Sequence, residues 1–161
     1  MEVRRLRSDE WERWREFRLA MLQEAPYAFG TSYAQAAAMT EDEWRERARR
    51  MAEDTDTVMY VVEDAGGWLA CAGGYVEDGI PNVFGVWTRP EARGRGAACH
   101  AIEHVVAWAG TTGAGEVRLW ATDTNAPARR LYERLGFAPN GTVQPLPSDP
   151  SLSESEWSRP L

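Results

Sequence analysis

The chain has 161 residues, 43% of them hydrophobic and 27% charged, with 18 basic against 25 acidic side chains and a formal net charge of −7. That length suits one domain with one core, the composition excludes intrinsic disorder, and the acidic balance speaks against a nucleic-acid-binding module. No uncharged stretch reaches the roughly 18 residues of a membrane-spanning helix, and the opening segment runs into Asp9 and Glu10 instead of an apolar signal core, so no membrane association and a cytoplasmic setting are expected.

Val3 to Leu6 reads as a short strand. Ser8 stands where it can cap a helix whose Trp11, Trp14, Phe17 and Met21 recur every three or four residues, the spacing of a stripe packed on a core. The helix must break between Pro26 and Gly30, and a second helical stretch follows from Ser32 to Met39. Thr40 and Glu43 form a capping box for a third helix with Trp44, Ala48 and Met51 on one face and a solvated face of arginines around the rest. From Thr57 the pattern changes to strands over Val58–Val62, Trp68–Val76 and Val83–Trp87, with turns at Ala65-Gly66-Gly67 and Asp78-Gly79. A helix with Ala101, Ile102, Val105 and Trp108 on its apolar side follows, then a central strand from Glu116 to Ala121. Thr124 or Asn125 caps the next helix, which buries Ala128, Leu131 and Leu135 and stops at Gly136. The chain returns to the sheet from Phe137 onward, and turns at Pro145–Pro147 and at Asp149-Pro150 precede a last strand from Ser153 to Arg159. The order describes one α/β domain over residues 1–161, with a mixed, mostly antiparallel sheet flanked by helices.

The turn after the fourth strand carries chemistry. Gly94 and Gly96 follow a strand and open a helix, so backbone N–H groups and the positive end of the helix dipole converge where an anion can sit. Arg89, Arg93 and Arg95 surround this turn, with Glu91 the only opposing charge within it. A Walker loop needs Gly-Lys-Ser/Thr and the chain contains no lysine, while a dinucleotide fingerprint needs wider glycine spacing and an early βαβ unit.

The run Val86-Trp87-Thr88-Arg89-Pro90-Glu91-Ala92-Arg93-Gly94-Arg95-Gly96-Ala97-Ala98 resembles the pyrophosphate-binding motif of the GNAT superfamily of acyl-CoA-dependent N-acetyltransferases, with Arg93, Gly96 and Ala98 at its defined positions. Independently, Leu119-x-Ala121-x-x-x-Asn125-x-x-Ala128-x-x-Leu131-Tyr132-Glu133-x-Leu135-Gly136-Phe137 is similar to that family's strand–helix motif. Arg18, Met21 and Leu22, continuing through Pro26 to Phe29 and Gly30, look like the first helix and lid of bacterial members.

The resemblance implies a sheet splayed between strands four and five, acetyl-CoA as co-substrate and an amine as acceptor. It places the pantetheine arm on the strand edge Val86-Trp87-Thr88 and the pyrophosphate on the main chain of Arg93-Gly94-Arg95-Gly96-Ala97-Ala98. An amide near Val86 or Trp87 would face the developing oxyanion. Trp87-Thr88 departs from the commoner aliphatic residues there, which would narrow the acyl or acceptor site. Asn125 would serve the cofactor, as well as capping its helix, and Tyr132 takes the place of the family's general acid for the departing thiolate.

Other groups have weaker claims. Glu77, Asp78 and Asp123 lie at strand ends where they could accept a proton, and each also reads as an exposed turn residue. His100 and His104 share a helical face, but no third ligand accompanies them and no metal is expected. Cys71 and Cys99 have neither disulfide nor metal spacing; Cys99 reads as a small core residue. Trp11, Trp14, Tyr27, Phe29 and Tyr33 could line an aromatic acceptor pocket, although helical stripes default to core. The acidic composition suits a small cationic or aminated acceptor better than a nucleic acid. A protein N-terminus or side-chain amine is the alternative, and a non-catalytic acyl-CoA sensor is a third reading. The final strand could pair across a homodimer.

Overall fold

The computed structural model describes residues 1–161. Strands β1 (Glu2–Arg5), β2 (Thr57–Asp64), β3 (Gly67–Glu77), β4 (Ile80–Thr88), β5 (Glu116–Thr122), β6 (Ala138–Leu146) and β7 (Asp149–Pro160) form one sheet. Its order is β1-β2-β3-β4-β5-β7-β6. Helices α1 (Trp11–Glu24), α2 (Tyr33–Ala37) and α3 (Glu41–Glu53) cover one face, and α4 (Ala97–Gly110) and α5 (Ala126–Arg134) the other. No helix is long and apolar enough to cross a membrane.

Two apolar layers sandwich the sheet. On the α1 and α3 side, Trp11, Trp14, Phe17, Met21, Trp44, Ala48 and Met51 all sit in the core, as their spacing predicts. Phe17 is 1% exposed and meets Trp68 and Trp87 edge-on, at 5.6 and 5.1 Å between ring centroids. It therefore ties α1 to both β3 and β4. Phe17→Ala is expected to lose about 3–5 kcal/mol through cavity formation, read as a lower urea midpoint at unchanged m-value.

Several local readings need correction. Ser8 does not cap α1: it opens a 3-10 turn over Ser8–Glu10, in which the Glu10 carboxylate accepts the Arg7 N–H at 3.0 Å, and the helix proper begins at Trp11. Thr40 and Glu43 do form a capping box. Ala128, Leu131 and Leu135 are only half-buried, and Tyr132 is the one buried residue of α5. Pro145 and Pro150 lie inside β6 and β7, and the turn is Pro147-Ser148. They are tolerated there because β6 is an edge strand and Pro150 precedes the stretch of β7 that pairs with β5. Over Glu154–Ser158 β7 lies between β5 and β6, so this part of the final strand has no edge free for pairing across a dimer.

The sheet opens between its only parallel neighbours. β4 and β5 pair at Asn82↔Arg118 and Val83↔Leu119 and at no later register. Beyond Val83 they splay, as the resemblance implied.

Candidate active site

The splay is held open by an irregularity in β4. Cys71 pairs with Trp87 and Gly73 with Phe84, so Gly85 and Val86 together oppose the single residue Ala72. Gly85 has φ +60°, which a side chain would strain. Cys71 clips the bulge: its thiol donates to the Gly85 carbonyl at 3.2 Å, and its backbone is paired with Trp87. Burial pushes this thiol up to about 12, so it stays protonated.

A cleft of about 550 Å³ fills the gap. Val86, Trp87 and Thr88 form one wall, Leu119 to Thr122 the other, and Arg93, Gly94, Gly96, Ala97 and Ala98 the far end. Asn125 and Tyr132 also line it. Of the residues expected at the cofactor, only Arg95 is missing from the wall; its side chain turns away to Asp64 at 2.9 Å.

The glycine turn is built for an anion. Gly94 and Gly96 take φ of +80° and +82°, and a Cβ on Gly94 would meet nothing within 4 Å. No side chain caps α4 and no acidic residue occupies its first turn, so the orphan N–H groups at its start remain available. The arginines contribute less charge than sequence suggests. Arg93 pairs with Glu24 at 2.8 Å, Arg95 with Asp64, and Arg89 donates to the Trp68 carbonyl while stacking over Phe17. Opposing charge thus reaches the turn from outside it as well, and the free donors left there for an anion are chiefly main-chain N–H groups.

Trp87 does not block the gap. Its ring is buried against Phe17, and its Nε1 donates to the Glu24 oxygen that also receives Arg93. Asn125 accepts weakly from the Ala128 N–H at 3.4 Å, the cap that sequence allowed. Tyr132 is 7% exposed, with its ring edge-on to Phe137 and its hydroxyl making no hydrogen bond within the protein. Burial pushes its phenol up to about 12.

On the lid side, the turn Pro26–Ala28 is fastened twice. Thr122 Oγ1 donates to the Tyr27 carbonyl at 2.7 Å, and Ser148 Oγ donates to the Phe29 carbonyl. Tyr27 and Phe29 line the cleft, whereas Trp11 is in the core and Tyr33 points outward. Cys99 lines the cleft and is not a core residue. Glu77 and Asp78 sit at the closed end of the splay, beside the start of β4, and Asp123 accepts from Ser155 Oγ at 2.6 Å. His104 Nδ1 bonds the His100 carbonyl, and its ring packs on Tyr60.

Sequence alone does not single out Gly85, Glu24 or Glu154. Glu154, opposite Thr122 in the β5–β7 register, lies on the lid face and is 7% exposed. Gln144 Nε2 donates to its Oε1 at 2.6 Å, leaving the other oxygen without a protein donor. Burial, joined by the nearby Asp123 carboxylate, raises its pKa against the pull of that hydrogen bond.

The family model described as "Acetyltransferase (GNAT) family" matches residues 5–137. Among solved structures, a GNAT-family acetyltransferase from Streptococcus pneumoniae is 15% identical, with a TM-score of 0.81 over 99% of both chains. A GCN5-related N-acetyltransferase from Kribbella flavida is 23% identical, with a TM-score of 0.77 over 99% of this chain and 97% of that one. The spermidine N-acetyltransferase from Vibrio cholerae, in complex with CoA and spermine, is 17% identical, with a TM-score of 0.77 over 99% and 94%. No curated protein sequence matches the chain.

Proposed function

The chain belongs to the acetyltransferase (GNAT) family, and from that membership we propose that it transfers an acetyl group to the primary amine of a small molecule by direct attack, with Tyr132 as general acid and Glu154 as proton acceptor. It is an acyl-CoA-dependent N-acetyltransferase, and acetyl-CoA is its co-substrate. The observation that carries the proposal is the cleft itself: a bulged, splayed strand edge leads from an uncapped helix start to a buried tyrosine.

The thioester brings an activated acyl carbon and a thiolate leaving group. The chain's part is to position them. Main-chain N–H groups from Gly94 to Ala98 hold the pyrophosphate, and the edge Val86–Thr88 pairs with the pantetheine arm. Trp87 is paired with Cys71 in the sheet, which leaves the Val86 amide, in the bulge, to face charge developing on the thioester oxygen. Tyr132 delivers a proton to the sulfur as the C–S bond breaks. Glu154 takes the amine's proton, directly or through a water, from the opposite side of the sheet.

The fastened lid supports a small acceptor over a polypeptide, because a peptide needs an open groove between lid and sheet. A thiol-release assay with acetyl-CoA and a panel of amines, aminoglycosides, amino acids and peptides tests this. Acceptor-dependent CoA release with a small amine is expected. Acetyl-CoA binding with no release for any acceptor would make the chain a sensor, and release with peptides alone would make it a protein acetyltransferase.

A further inference from the structure

A second cavity of about 330 Å³ opens on the lid face between α1, α3, β3 and β4. It adjoins the reaction centre: Phe84 borders both cavities, and Arg18 Nη1 lies 3.7 Å from where a Cβ on Gly85 would be. Trp14, Trp44, Tyr75 and Phe84 supply aromatic wall, yet Arg18 from α1 and Arg47 and Arg50 from α3 converge on it. Asp56 is the only carboxylate among its lining residues.

Arg18 is the unusual member. Its side chain is half-buried, and desolvation, with Arg47 adding to it, lowers its pKa to about 10. No carboxylate is among the charges acting on it. Its only hydrogen bond goes to Met21 Sδ at 3.2 Å, and its carbon face stacks 5.3 Å from the Phe29 ring. A guanidinium has five N–H donors, and most of those on Arg18 have no protein acceptor, which leaves them free for an incoming oxyanion. Arg47 has no ion pair, and Arg50 reaches Asp54 only at 3.7 Å. The protein thus gathers three like charges here against a single lining carboxylate, Asp56.

The opposite charge stands across Tyr75. This residue lines the same cavity, and its phenol is raised by burial and then by Glu77, Glu154 and Glu156. The lid face therefore runs from an arginine end to a carboxylate end that includes Glu154.

We propose that this cavity binds an oxyanion carried by the acceptor, so that the substrate is a small amine bearing a carboxylate or phosphate a few bonds from the nitrogen. Arg18 grips the oxyanion, with Arg47 and Arg50 adding charge at the mouth, and the amine is turned towards Val86 and Glu154. The inference rests on the transferase reading above and narrows its acceptor, against the cationic amine that net charge alone suggests.

The test compares amino acids with their neutral amides, alongside O-phosphoethanolamine and spermidine, by CoA release. A carboxylate or phosphate amine is expected to exceed its uncharged counterpart by about 10- to 100-fold in kcat/KM, the worth of a charge-assisted hydrogen bond. Which anion wins identifies the source. Arg18→Gln is expected to abolish that preference, lowering turnover of the anionic amines far more than that of their neutral amides. Arg47→Gln, at an exposed position, is expected to weaken it in a chain whose folding it does not disturb. Equal use of amides, preference for spermidine, or an equal loss on both substrate classes in Arg18→Gln would overturn the proposal. Calorimetric titration with N-acetylated amino acids needs no turnover: saturable binding lost in Arg18→Gln supports the anion site even if no acceptor releases CoA, and absence of binding counts against it.

Discussion

Replacing Tyr132 by Phe is expected to lower turnover about 10- to 1,000-fold while leaving the affinity for acetyl-CoA unchanged. The substitution removes one oxygen and keeps the ring that packs on Phe137 at 6.2 Å, so the fold survives it. Desolvation pushes the phenol to about 12, which keeps it protonated across the working range. Against an ordinary thiol pKa of about 8.5, such a phenol would be a reluctant donor in water. The cleft changes that comparison, because the same desolvation that disfavours a phenolate disfavours a thiolate and makes the departing sulfur more basic. Tyr132 also has no protein partner to surrender before it can donate. It follows that no alkaline loss of turnover below about pH 10 should originate at Tyr132. Turnover in Tyr132→Phe equal to that of the unmodified chain would remove the residue from the mechanism and leave the thiolate to depart unassisted.

Local pattern made the helices and the donor half of the site readable, because capping boxes, helical stripes and the glycine turn are fixed by neighbours in sequence. What pattern could not say was what each face meets. Ala128 and Leu131 have the spacing of a buried stripe, yet they line the cleft and are half-exposed. Apolar periodicity registers a need for an apolar neighbour and is blind to whether that neighbour is protein or ligand. The arginines of the glycine turn look unopposed in sequence because their partners, Glu24 and Asp64, come from α1 and β2. Gly85 did carry a local signal, a glycine inside a strand run, which is a common mark of a bulge. Glu154 carried none: both final strands were legible, but two prolines suggested turns where an edge strand and the free start of its neighbour accept them, so the full length of the β6–β7 ribbon was hidden.

That ribbon supplies the other large effect. Glu154→Gln is expected to lower kcat about 100-fold or more, the range for loss of a general base. Glutamine retains an oxygen that can accept the 2.6 Å hydrogen bond from Gln144, so a merely structural Glu154 would tolerate the exchange. The pH profile separates the roles. A base must be deprotonated to act, and burial together with Asp123 raises this carboxyl above the ordinary value of 4.5. Turnover should therefore fall as pH drops through that raised value, an acid limb displaced upward from the usual glutamate range. Glu154→Gln should erase the limb from kcat, whereas protonation of the free amine would persist in kcat/KM in both proteins. Asp123→Asn removes the neighbouring negative charge and should move the limb to lower pH without abolishing turnover. A limb that stays in place in Glu154→Gln would transfer the base to another group, and a kcat unchanged by the substitution would leave Glu154 as a strut between β7 and β6.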